Sequence, residues 1–311
     1  MSQFELLTGP ILLGTQFNWA LLGTLTLQIY MFHVSFPKEK IAIKALVYSI
    51  FILDLLQTAL SSHFAYGMLV TNWGNPAILP NPPWTNAAIP VITGLVSAPV
   101  QFFFAWRIYV LKKDSRYTIP VCSLIIALAL IQSATAMAGG IKFDIATKPI
   151  VNERMILILG EVWLITSVVC DVLIASSMLI ILSQYRQATP WKETDRLITK
   201  LTYHTIETGA VTAVVAIVDL AFFFGTPPGT YLAGIPSFML GKIYSNVMMA
   251  NLNARTRMDG EPVAHTRVLN SGVTELRFMH TDDATSQTAG KPVTDTHHIY
   301  STGKTAAETY V

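Results

Sequence analysis

The chain has 311 residues, of which 52% are hydrophobic and only 13% charged, and its mean hydropathy is +0.47. Soluble domains carry about 25% charged residues, so the composition excludes a water-soluble two-domain enzyme, a nucleic-acid-binding domain and, with two cysteines, a secreted disulfide scaffold. Charge is also unevenly placed: residues 1–250 hold 15 Lys/Arg and 12 Asp/Glu, the last 61 hold 6 and 7, so an apolar body carries a polar tail.

A helix needs roughly 20 mostly apolar residues to cross about 30 Å of hydrocarbon, where only a helix or a closed barrel satisfies its own backbone. Seven stretches meet that length, at 10–32, 45–70, 88–111, 117–140, 155–182, 201–224 and 231–250. The alternating strands of a barrel are absent. The predicted fold is therefore all-α, a polytopic membrane protein with seven transmembrane helices. Residues 1–250 form the transmembrane domain and 251–311 a disordered cytoplasmic tail rich in Thr, Ser, Asp and His. The first stretch reads as a retained helix rather than a signal peptide, because Met1–Gly9 has no Lys or Arg and contains Glu5.

Basic residues set the expected orientation. Lys38, Lys40 and Lys44 lie in or beside the 1–2 loop, Lys112, Lys113 and Arg116 in the 3–4 loop, and Arg186, Lys192, Arg196 and Lys200 in the 5–6 loop. Arg107 sits one turn inside span 3, and Arg255 and Arg257 open the tail. On the opposite side only the 4–5 loop is basic, with Lys142, Lys148 and Arg154 offset by Asp144 and Glu153. The N-terminus is expected outside and the C-terminus in the cytoplasm. The 2–3 loop carries Trp73 and Trp84 among turn formers, which suits either an interfacial loop or a lid over an outward pocket.

An ionisable side chain at mid-membrane costs about 2.5–3.5 kcal/mol on insertion scales and needs a partner or a purpose. At about 1.5 Å per residue from the cytoplasmic ends, Glu207 lies about 9 Å deep, Lys242 about 12 Å, and Asp54 and Asp171 about 16–18 Å. Asp54 and Gln57 share a helix face, as do His204 and Glu207, three residues apart in each case. With Asn246 these residues, Asp54, Gln57, Asp171, His204, Glu207 and Lys242, make a candidate intramembrane polar cluster. One reading pairs Lys242 with Glu207 or Asp171 as a structural bridge; the other makes the cluster an inner polar pocket or proton relay. Asn18, Gln28 and Gln101 are further intramembrane polar candidates, and Glu161, Asp219 and His63 could form an outer group. Small residues at Ala134, Ala136, Ala138, Gly139 and Gly140 predict close packing of span 4, and Pro99 and Pro236 predict bends in spans 3 and 7.

Several motifs carry a resemblance: Gly9-Pro10, Gly14 and Asn18, then Phe36-Pro37-Lys38, Leu53-Asp54 and Gln101-Phe102-Phe103 with Arg107-Ile108-Tyr109. It is strongest through Asp171-Val172-Leu173-Ile174, Thr194-Asp195-Arg196-Leu197-Ile198, Lys242-Ile243-Tyr244-Ser245-Asn246 and Leu252-Asn253-Ala254-Arg255. On these the body resembles an uncharacterised family of fungal seven-span membrane proteins, abundant in mushroom-forming fungi. Met248-Met249-Ala250-Asn251 departs from the small and aliphatic residues usual there. The resemblance implies an integral membrane protein without an assigned activity.

Among function classes, a receptor or sensor fits the count, the orientation and the basic inner loops, where a cytoplasmic signalling partner could bind. Span 3 has no acidic residue before Arg107, and span 7 has no Asn-Pro-x-x-Tyr, so rhodopsin-like motifs are missing. A small-solute transporter with a 3+1+3 helix repeat is the alternative, echoed in Pro99 with Arg107-Ile108-Tyr109 and Pro236 with Lys242-Ile243-Tyr244. Enzymatic activity is not expected. His63 and His204 fall near opposite faces, no zinc spacing occurs, and no phosphate-binding loop is present, so neither catalytic nor metal residues are assigned and no cofactor is expected.

Overall fold

A computed structural model describes residues 3–75, 82–112, 115–146, 153–188, 192–226 and 231–255. These residues are helical, with no strand among them: α1 (Gln3–Ser35), α2 (Ile41–Tyr66), α3 (Trp84–Leu111), α4 (Thr118–Ala146), α5 (Glu153–Ala188), α6 (Lys192–Gly225) and α7 (Gly234–Asn253). A π-helical turn over Gly67–Thr71 extends α2. Four of the segments, Ile41–Thr71, Trp84–Leu111, Thr118–Phe143 and Arg154–Ile181, are long and apolar enough to cross a membrane, which makes this an integral membrane protein. The predicted tail falls, from residue 256 onward, outside the described residues.

Helices outrun the apolar stretches that announced them. α6 starts at Lys192 rather than 201, and α5 runs to Ala188 rather than 182. Charged residues end an apolar run without ending a helix, because Lys, Arg and Glu are good helix formers. Successive helices pack side by side from α1 to α7, and α7 closes onto α1. α3 sits centrally, packing on α2, α4, α5 and α7.

The partition of side chains is inverted relative to a water-soluble bundle. Large apolar residues such as Leu27, Ile52, Leu130, Leu157 and Val214 point outward, while Asn18, Gln57, Gln101, Gln132, Ser245 and Lys242 are buried. That distribution suits hydrocarbon around the bundle, which removes the driving force for burying Leu and raises the cost of exposing an amide. α7 shows why composition understates a helix of this kind. Its polar residues lower its hydropathy, yet Lys242, Ser245 and Asn251 are buried against other helices instead of facing lipid.

Close approaches rest on small residues. A Cβ on Gly140 of α4 would collide with the Ala87 carbonyl oxygen of α3, and one on Gly94 would come within 3.1 Å of the Ser133 carbonyl oxygen. The Ser133 hydroxyl donates to the Gly94 carbonyl at 2.8 Å, tying the same seam. On the other side of the bundle, a Cβ on Gly14 would meet the Phe238 ring at 2.7 Å. Pro236 does not sit where it was expected to bend a helix. It is the third residue of α7, in the first turn, where its missing N–H has no intrahelical acceptor to lose. Pro90 and Pro99 lie inside α3, and Pro10 inside α1. Pro10 cannot donate to the Leu6 carbonyl, which instead accepts the Tyr231 N–H at 3.4 Å.

Replacement of Gly140 by Ala should therefore destabilise the protein by about 1–3 kcal/mol, since backbone must move to admit the methyl group. Gly23→Ala, with nothing within 4 Å of the new atom, should be neutral or slightly stabilising. Thermal unfolding of the two variants in detergent micelles checks the contrast.

Candidate functional site

α7 presents different side chains to three neighbours, and this divides the predicted polar cluster. Lys242 faces α2. Its ammonium donates to the Asp54 backbone oxygen at 2.7 Å, to Asp54 Oδ1 at 3.2 Å and to Gln57 Oε1 at 3.2 Å. Three acceptors match the three protons an ammonium carries. Both side chains of this ion pair are fully buried. Gln57 in turn donates to Thr93 Oγ1 at 2.8 Å, bringing α3 into the same set. Gly241 makes room for it, since a Cβ there would stand 3.2 Å from Gln57 Oε1.

The partner expected for Lys242 was Glu207 or Asp171, and the partner found is Asp54. Helical geometry explains why Asp171 is excluded. Tyr244 is two residues beyond Lys242, about 200° around the helix, and it is Tyr244 that meets Asp171. The Tyr244 hydroxyl donates to Asp171 Oδ2 at 2.7 Å and accepts from Ser167 at 2.8 Å. Gln101 donates to Asp171 Oδ1 at 3.4 Å and accepts from Gln132 at 2.7 Å. Asp171 thus belongs to a second network spanning α3, α4, α5 and α7. Asn246 belongs to a third. It donates to the Leu21 carbonyl at 3.1 Å and accepts from Thr24 at 2.8 Å, on the seam with α1. The backbones of His204 and Glu207 lie in α6, and their side chains lie outside the described residues.

At the cytoplasm-facing end predicted from charge, Arg107 of α3 donates to Asn251 Oδ1 of α7 at 2.9 Å. Arg255 pairs with Glu39 at 2.7 Å and lies 4.7 Å over the Phe36 ring, clipping the end of α7 to the α1–α2 connection. The expected outer group of Glu161, Asp219 and His63 is not drawn together: His63 meets Thr85 at 3.3 Å, and Asp219 accepts from Ser237 at 2.9 and 3.1 Å. At the end of the bundle opposite Arg107 and Asn251, α3, α4, α5, α6 and α7 surround a cleft of about 340 Å³, lined by aromatic side chains including Trp163, Phe223 and Phe238, with Asn86, Thr135 and Ser237 as polar members. Deeper, beside Asp171 and Tyr244, there is a void of about 20 Å³. Among the described residues no group of three or more His, Cys, Asp or Glu could hold a metal ion.

Tyr244, Ser167, Gln132, Thr93 and Ser237 were not among the predicted site residues. Ser and Thr are frequent in spans and bond to their own helix, and a Tyr in an apolar run reads as an aromatic, so their presence in sequence does not flag a network. Gln132 carried a usable signal, a buried amide in an otherwise aliphatic run.

Residues 167–257 match a family of unknown function, DUF6534. No curated protein and no solved structure matches the chain. The matched stretch contains Asp171, Asp219, Lys242, Tyr244 and Asn246, so it holds all of α7 while Asp54 and Gln57 lie outside it.

Removing one partner of a buried ion pair leaves the other uncompensated, at a cost of about 3–5 kcal/mol. Lys242→Met and Asp54→Leu should each destabilise on that scale, and the double variant should recover most of the loss. Thermal unfolding of the three variants in detergent, analysed as a double-mutant cycle, reads the coupling.

Proposed function

We propose that this chain is a non-catalytic, receptor- or sensor-like protein of seven spans, with its N-terminus outside and its C-terminus in the cytoplasm. It takes a small molecule in the cleft at its outer end and is read by a partner at its basic inner loops. The cleft of about 340 Å³ is the observation that carries the reading. That volume lies in the range of small-molecule sites, ~300–1,000 Å³, and like them the cleft is largely apolar with a few polar members.

Two features support a sensor over the transporter alternative. A transporter must open its site to each side in turn, whereas the cavity found deeper than the cleft is a separate void of about 20 Å³, enough for one water. The Asp171 network borders this void and the Lys242 network fills the bundle beside it, toward α2. A three-helix repeat must also pack its first helix on its third. In this bundle α1 packs chiefly on α7 and α2, and α5 on α4 and α6. The orientation rests on the basic 1–2, 3–4 and 5–6 connections.

Cysteine labelling tests both the cleft and the orientation, since native Cys122 and Cys170 are buried. Asn86→Cys should react with a membrane-impermeant maleimide on intact cells, and Asn253→Cys only after permeabilisation. The reverse pattern would overturn the topology. Solute accumulation by reconstituted vesicles, lost in Asp54→Asn, would decide for the transporter.

A further inference from the structure

Of the buried carboxylates, Asp219 is the least compensated. Asp54 has the Lys242 ammonium, and Asp171 receives donors from Tyr244 and Gln101. Asp219 is fully buried, and its hydrogen-bond partner among the described residues is the Ser237 hydroxyl, at 2.9 and 3.1 Å from its two oxygens. That hydroxyl has one proton to give, and the Ala233 carbonyl 2.8 Å away competes for it. No ion pair reaches Asp219 among the described residues. Lys242, five residues beyond Ser237 on α7, points about 140° away around the helix and has its protons committed to α2.

Ser237 is also a wall of the cleft. One side of this residue therefore meets a carboxyl group with no ion pair among the described residues, and the other meets a space whose described lining residues include Trp163, Phe223 and Phe238 and no charged side chain. Aromatic faces attract a cation through their quadrupoles, and a low dielectric strengthens its attraction to a nearby carboxylate. An anion would meet no positive charge among the described lining residues, and a neutral molecule would gain only the apolar contacts.

We propose that the cleft takes a lipophilic amine, its apolar body against Trp163, Phe223 and Phe238 and its protonated nitrogen at the Ser237 hydroxyl, with Asp219 supplying the counter-charge. This rests on the sensor reading and gives its ligand a chemical class. Ser237 accepts from the ammonium while donating to Asp219, so charge is relayed through one hydroxyl without proton transfer.

Three probes on one skeleton separate the charge from the shape: adamantylamine, adamantanol and adamantane carboxylate. They are titrated by saturation-transfer NMR at neutral pH against the full chain in nanodiscs, with empty nanodiscs subtracted. The amine should bind about tenfold more tightly than the alcohol, the scale of a charge-assisted hydrogen bond, and the carboxylate more weakly than the alcohol. Asp219→Asn should bring the amine to the level of the alcohol while the alcohol itself changes less than about twofold, which also shows that the variant is folded. Gly139→Phe fills the cleft from α4, where a Cβ would meet only Leu159 at 3.7 Å, and should abolish binding of all three. An alcohol that matches the amine, or an amine preference that survives Asp219→Asn, overturns the amine assignment and leaves the cleft as a sensor site. If none of the three binds in a way that Gly139→Phe removes, the assignment falls and the cleft reading falls with it.

Discussion

An ammonium group inside a bundle needs a negative charge and three acceptors, and Lys242 draws nearly all of that from one turn of α2. Because one acceptor is the Asp54 backbone oxygen at 2.7 Å, the contact fixes the register of α2 against α7 as well as a side-chain rotamer. Neighbouring residues follow from that register. Gly241 has to be small for Gln57 to reach the ammonium, and Thr58, one turn beyond Asp54, meets Asn18 of α1 at 2.8 Å. Asn18 in turn donates to the Phe238 carbonyl at 2.8 Å. A ring of contacts through α1, α2 and α7 thus closes around one buried charge. The pair also specifies arrangement more than it adds stability, since desolvation takes back much of the Coulomb energy.

The same economy governs the rest of the interior. Lipid offers apolar side chains nothing that another helix does not, so helices in a membrane are held by small-residue packing and polar contacts. Here the two are divided between seams. α3 and α4 meet through Gly94, Ala136 and Gly140, with backbone approaching backbone. α7 meets its neighbours through Lys242, Tyr244, Asn246 and Asn251, each aimed at a different helix. A helix with this many polar residues would be poorly stable in lipid alone, and becomes stable when others surround it.

What could be read from the sequence divides along the same line. Apolar runs located every helix, because length and hydropathy are properties of one segment. They say less about where α5 ends and α6 begins, because helix continues there into charged sequence beyond the apolar run. The glycines of span 4 announced close packing, and the partner of Gly140 then required the fold. Asp54, Gln57 and Lys242 were each identifiable as intramembrane polar residues. Their grouping was not, because depth along a helix says nothing of the direction a side chain faces. Asp171 and Lys242 come from similar depths, yet α7 stands between Asp171 and the Lys242 ammonium. Angle around α7 decided the pairing, and it becomes meaningful only once the neighbours of α7 are known.

Angle around α7 also separates a stiff side from a loose one. Toward α1 and α2 its donors reach acceptors at 2.7–3.1 Å, the Lys242 ammonium on the Asp54 carbonyl and the Asn246 and Asn253 amides on α1 carbonyls, with Asp54 Oδ2, Gln28 Oε1 and Asn253 Oδ1 left unpartnered. Toward α5 the network includes a 3.4 Å contact between Gln101 and Asp171, an unpartnered Gln132 Oε1, and a void of about 20 Å³. A long contact and unfilled space lower the cost of local rearrangement. The cleft lies over this looser half, walled in part by α5 and α6. On the sensor reading, an occupant pressing on Trp163 and Phe223 works against α5 and α6 while α7 stays anchored. Those two helices carry the basic 5–6 connection at their far ends. Rigidity around Lys242 is then what gives such a displacement a direction, since motion needs a fixed element to be measured against.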